Sequence, residues 1–324
     1  MTTVVQTHAP RAQKAAIPRS VYIALAIGIL AGASAALSTK YALAEGASPL
    51  MIAFFRLGAA TLLLTPIVLT RYRDDLRRLT RRDLLLLSVG GMWMALHFVL
   101  WSASLVYASV LVATVIVCSS PIWTAVFEIA FLRARLTRLI LLGLVLAVGG
   151  NIVIALGSSA DGGSNQALGG FIAMVAAVAI AAQRTIGRSL RLHIHVFPYL
   201  WLMYLAGTLT LLPVMVATRT PIIGYTPSAY FWMFLLTLLP QLLGHGAFNY
   251  ALGYFSATFT SLIIQMQPPI ASVVAFFALG EVPSWLQVVG GIVIVSGVVI
   301  AIQGRRTASG APSQAPPPAD ADLR

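Results

Sequence analysis

The sequence predicts an all-α integral membrane protein whose ten transmembrane helices form two inverted five-helix repeats. Three observations carry that expectation. The first is composition: of 324 residues, 59% are hydrophobic and 9% charged, where an ordinary soluble domain carries about 25% charged residues. The second is a series of ten apolar runs, each near the roughly 20 residues that cross a hydrocarbon core. The third is an internal repeat at an offset of 147 residues, which places Tyr107 on Tyr254, Ser109 on Ser256, Pro121 on Pro268, Gly143 on Gly290 and Gly150 on Gly297. Matches of Leu, Val and Ile arise by chance in so apolar a chain. The weight therefore rests on proline and glycine, which have backbone consequences. Pro66 falls on Pro213 and Thr61 on Thr208 at the same offset, so the repeating unit is half the protein.

In chain order, residues 1–19 are polar and basic with no apolar period, and read as a disordered tail. The first run, about 20–43, exceeds a signal-peptide core and lacks a cleavage site, so it is expected to remain as a spanning helix. Nine more follow, near 49–70, 83–106, 109–132, 136–157, 168–190, 196–218, 229–251, 256–279 and 284–303. The repeats are then 20–157 and 158–303. From 304 to 324 the chain turns to Ala, Pro and Ser, a second disordered tail. The single cysteine, Cys118, excludes an internal disulfide and a cysteine metal cluster. No cofactor or metal is expected.

Charge gives the orientation. The net charge of +12 would suit nucleic acid, but the arginines sit in short segments between apolar runs. A membrane's cytoplasmic face explains them, so the lipid bilayer is the expected partner and nucleic acid is not. With a cytoplasmic N-terminus, 18 of the 21 basic residues lie inside, among them Arg184, Arg188 and Arg191. Both termini are then cytoplasmic. Five helices per repeat is an odd number, so the second repeat enters the membrane from the opposite side, the design of carriers that alternate between two mirror-related states.

Polar groups at membrane depth are costly and mark candidate sites. His97 and Trp101 are four apart in the third helix, with Trp93 one turn earlier. Gln241, His245 and Asn249 repeat that spacing in the eighth, and the offset carries Phe98 onto His245 and Trp101 onto Phe248. Gln265 and Gln267 precede Pro268 and Pro269 in the ninth helix, where proline frees carbonyls in the preceding turn. Pro121 has the same place in the fourth. His97, Trp101, Gln241, His245, Asn249, Gln265 and Gln267 are the candidate substrate contacts, and Pro121, Pro268 and Pro269 the candidate helix breaks. A transmembrane His, Gln or Asn also ties helices together at about 0.6 kcal/mol each, and that structural role weighs evenly against function for any one of them. Lys40 and Arg56 sit toward the outer helix ends, where long side chains snorkel to headgroups, the alternative for Arg56 being an anionic group. Glu128 is expected to form a rim ion pair with Arg133 or Arg135. His97 and His245 are the candidates for proton coupling, since imidazole titrates near pH 6.5 when unperturbed and no Asp or Glu lies near the midplane.

The segment Leu279-Gly280-Glu281-Val282-Pro283, followed by Gln287-Val288-Val289-Gly290-Gly291, resembles the EamA-like branch of the drug/metabolite transporter superfamily. So do Phe54-Phe55-Arg56 and the runs that lead from Tyr107 to Pro121 and from Tyr254 to Pro268. The resemblance spans about residues 20–303 and implies a ten-helix carrier of small metabolites, often an exporter of amino acids or related compounds in the bacterial inner membrane. The first repeat departs from the pattern, with Arg133-Ala134 where the second has Gly280-Glu281.

The expected function is therefore a secondary transporter, an exporter of a small metabolite, working by alternating access. A passive facilitator or importer is the alternative. An intramembrane enzyme would need converging catalytic groups, and a channel a ring of charge or a filter loop, none of which the sequence offers. A monomer and a homodimer are both compatible with the chain.

Overall fold

A computed structural model describes residues 17–157, 164–279 and 282–308. Most of both expected tails, 1–19 and 304–324, lies outside the described residues. Ten apolar segments are present. They are α1 (Arg19–Ala44), α2 (Pro49–Arg71), α3 (Arg81–Tyr107), α4 (Val110–Val117 and Ser120–Leu132), α5 (Arg138–Leu156) and α6 (Gln166–Leu190). The rest are α7 (Val196–Ala217), α8 (Pro227–Ala251), α9 (Ala257–Ile264 and Gln267–Leu279) and α10 (Trp285–Ala308). A short helix, Arg73–Arg77, joins α2 to α3. No strand occurs among the described residues.

The starts of these helices follow from local chemistry. Ser48, Thr80, Ser109, Thr137, Thr226 and Ser256 each accept a hydrogen bond from a backbone amide of the first turn, satisfying a donor that the helix leaves unpaired. Ser109 and Ser256 are counterparts, so the repeat extends to its caps. The breaks are counterparts too. The fourth helix opens at Cys118–Ser119 and the ninth at Gln265–Met266, each just before the proline at position 121 or 268. Proline fits the first turn of the helix that resumes, where its missing N–H costs nothing.

Inversion is visible where α5 meets α10. A Cβ on Gly297 would lie 2.7 Å from the carbonyl oxygen of Gly143, and one on Gly290 would lie 2.6 Å from that of Gly150. Position 143 thus faces 297 while 150 faces 290, so these counterpart helices run antiparallel, and only glycine lets the backbones approach so closely. The other packings come in swapped pairs: α3 packs on α6 as α8 packs on α1, and α3 on α7 as α8 on α2. A two-fold relation between the repeats requires this pattern.

The eighth helix departs from regular geometry. Thr237–His245 is a π-helix containing Pro240. The proline has no amide to donate, and the wider turn accommodates its ring.

Candidate functional site

A cavity of about 640 Å³ lies between the repeats, lined from every segment except α7. Three pairs of counterparts touch each other, two of them on its lining and the third buried outside it. The rings of Phe98 and His245 meet edge to face at 5.1 Å. The side-chain amide of Gln265 donates to the carbonyl of Cys118 at 2.6 Å, and that of Gln241 approaches the Met94 sulfur at 3.9 Å. A residue that touches its own counterpart lies on the axis relating the repeats. The axis therefore passes through the cavity floor. The Cys118 carbonyl is one that the helix break releases, and the other repeat supplies its donor.

The floor is symmetric and the mouth is not. Trp101 and Phe248, Cys118 and Gln265, and Ser120 and Gln267 line the floor as pairs. The mouth is built from Lys40, Ser109, Val110, Ser272 and Gln287, all toward the end of the molecule opposite the first residue of α1. At the other end the counterparts are packed shut. Glu128, only 2% exposed, accepts from the amides of Ala257 and Thr258 at 2.7 and 2.8 Å, capping α9 from the other repeat. Arg188 donates to the carbonyl of Leu252 at 2.7 Å, and the fully buried Arg191 donates to the carbonyls of Asn249 and Ile194. The expected rim ion pair of Glu128 is thus corrected: its carboxylate is spent on a buried helix N-terminus, where amides and helix dipole favour an anion.

His97, Trp101, His245, Gln265, Gln267 and Pro268 all line the cavity. His97 Nδ1 lies 2.8 Å from the carbonyl of Ala176. A carbonyl only accepts, so Nδ1 carries the proton and Nε2 is left as the titratable nitrogen. Gln241 and Asn249 are not among the residues that line this cavity. The π-helical turn carries Gln241 off the stripe that four-residue spacing assumes, and it accepts from Arg56 Nε at 2.6 Å. Asn249 lies deeper, receiving Gln183 and Tyr199 at 3.2 Å and donating to the His245 carbonyl at 2.7 Å. Pro121 and Pro269 lie outside the lining, Pro269 so placed that a Cβ on Gly291 would lie 3.6 Å from its own. Among the described residues no three of His, Cys, Asp and Glu converge to hold a metal ion.

Two cations were misplaced by sequence reasoning. Arg56 is 3% exposed and lines the cavity, its guanidinium carbon 3.9 Å above the Phe98 ring. It stands seven residues into α2, about 10 Å down the helix, beyond easy snorkelling range. Arg184, assigned to an inner loop with Arg188 and Arg191, is instead in the cavity wall, donating to Ser120 and Ser261 hydroxyls at 3.2 and 3.3 Å. The available signal was its place well inside the run 168–190.

Ten apolar segments in two inverted repeats, with a cavity of mixed polar and apolar lining between them, define a multi-pass membrane transport protein. The chain belongs to the EamA-like transporter family, which it matches over residues 19–156 and 167–303. It is 28% identical over 252 residues to a probable terminal-alkyne amino-acid exporter of Streptantibioticus cattleyicolor, covering 74% of this chain and 80% of that one. It is 24% identical over 257 residues to the uncharacterized transporter YdfC of Bacillus subtilis, covering 78% and 82%. A solved crystal structure superposes with a TM-score of 0.72 at 16% identity, over 90% of this chain and 99% of that one, a likeness of fold.

Proposed function

We propose that the protein is a secondary transporter that moves a small metabolite, an amino acid or related compound, by alternating access, and that it works as an exporter in the bacterial inner membrane with both termini in the cytoplasm. One observation carries this reading: the cavity floor is made of touching counterparts, whereas the counterparts of the open mouth are packed shut. Exchanging the conformations of the two repeats would close the mouth and open the Glu128 end while the floor stays in place. The name of the Streptantibioticus relative supports the solute class and the outward direction. The arginine asymmetry supports the orientation.

Counterflow in proteoliposomes tests the mechanism. Vesicles loaded with a mixture of the twenty proteinogenic amino acids should take up at least one labelled amino acid faster than empty vesicles, with saturation. Uptake that never saturates and ignores internal solute would replace the carrier with a passive pore. For orientation, in a Cys118→Ser background, Ser164→Cys should react with an impermeant thiol reagent from outside the cell and Arg78→Cys should not.

A further inference from the structure

We propose that Arg56 and Arg184, with Lys40 at the mouth, form a seat for the anionic end of the solute, a carboxylate or other oxyanion, and that the cavity discriminates against cations. The transporter reading supplies only the premise that the solute is carried; the seat itself stands on the charges.

All three cations line the cavity, and no Asp or Glu is among its described lining residues. The partners of the two buried arginines are neutral. Arg56 uses Nε on the Gln241 side-chain oxygen and lays its plane near the Phe98 ring, while Nη2 is buried with no hydrogen-bond partner. Arg184 uses Nη1 on two serine hydroxyls. These contacts hold each guanidinium in place without cancelling its charge. Neither has a carboxylate within ion-pair distance among the described residues. Glu128, the buried acid of α4, is already spent on the amides of α9.

An arginine that only ties helices together is expected to spend its donors on the protein, because a buried unpaired charge is strongly unfavourable. Arg56 leaves a donor over, and two uncompensated guanidinium groups share one low-dielectric cavity with a third cation at its entrance. Guanidinium presents its donors in a fork that matches carboxylate and other oxyanions. The apolar part of the solute has its own surface in Trp101, Phe248 and Leu105. The two charges are also unique to their repeats: the counterpart of Arg56 is Met203 and that of Arg184 is Leu37. The seat is therefore an addition to the symmetric floor.

Cys118 lines the same cavity and reports on its potential. The test compares its reaction rates with anionic sulfonatoethyl and cationic trimethylammonioethyl methanethiosulfonate, each normalised to a free thiol in solution. Ala271→Cys in a Cys118→Ser background serves as a second reporter at another wall. At both positions the anionic reagent should be favoured by about tenfold or more, as focused fields in charged clefts allow. The preference should fall toward unity in the Arg56→Gln, Arg184→Gln double variant. A ratio near unity in the otherwise unaltered protein, a preference for the cation, or a preference that survives the double substitution would overturn the seat. A second arm measures protection of the reporter by the amino acids and by their amides: at least one acid should protect, its amide about tenfold less. No protection by any acid, or equal protection by the amides, counts against the proposal. Anion preference without counterflow would sink the carrier and keep the seat; counterflow without anion preference would do the reverse.

Discussion

Phe98 and His245 touch edge to face at 5.1 Å, and each is the other's counterpart across the offset of 147 residues. Because the contact lies on the axis between the repeats, the proposed alternating access would leave it at the centre if the repeats exchanged conformations. What surrounds it differs between the repeats. The Arg56 guanidinium covers one face of Phe98, and the second repeat has Met203 at the place of Arg56. An axis of this kind separates the parts of the molecule that must work in both states from those that differ between them.

The α5 and α10 contact belongs to the framework. Gly150→Leu should force the carbonyl of Gly290 away, since a Cβ alone would sit 2.7 Å from it. Overpacking of this kind costs about 1–3 kcal/mol. Thermal unfolding in detergent should show a clear fall in midpoint, whereas the lipid-facing Val145→Leu should leave it unchanged; equal stability of Gly150→Leu would contradict the close approach.

Glu128 holds the closed end. Glu128→Gln keeps the size and removes the charge that caps α9, a loss of about 0.5–2 kcal/mol by analogy with helix caps. The balance of states should move by about twofold to thirtyfold toward the form open at that end. Labelling of Cys118 by an impermeant reagent should slow from the Lys40 side and quicken from the Glu128 side. Unchanged rates from both sides would mean the cap has no part in gating.

His97 and His245 both line the cavity, and imidazole is the side chain whose unperturbed titration lies nearest neutral pH. If transport is coupled to protons, an imposed pH gradient should drive accumulation in the wild type and not in the His97→Gln, His245→Gln double variant. Accumulation that persists in the variant removes the histidines from coupling. A gradient without effect in the wild type identifies a facilitator.

Fold and site differed in how much the sequence disclosed. The repeat and both helix breaks follow from Pro121, Pro268 and the glycine pairs, because proline and glycine constrain the backbone wherever they stand, and the inversion follows from the odd number of apolar runs in each repeat. The burial of the two arginines behind the proposed anion seat did not follow. Hydropathy places charged residues at helix ends, and both Arg56 and Arg184 are near enough to an end to be assigned there, although each lies a turn and a half or more inside. Gln241 was assigned to the cavity by α-helical spacing, and Pro240 was the visible signal that the spacing fails. Glu128 was paired with nearby arginines because sequence distance gives no hint of the α9 amides, 129 and 130 residues away. The ends of the helices were read by neighbourhood in the chain, and the fold connects them by the axis instead.

The central claim is that one cavity opens to each side of the membrane in turn, and Cys118 at its floor measures this directly. Right-side-out and inside-out vesicles, each exposed to a membrane-impermeant thiol reagent from the bulk phase alone, should both label Cys118, with no reagent crossing to a trapped thiol inside. Labelling from a single side under every ligand condition, or free passage of the reagent to the trapped thiol, would contradict alternating access.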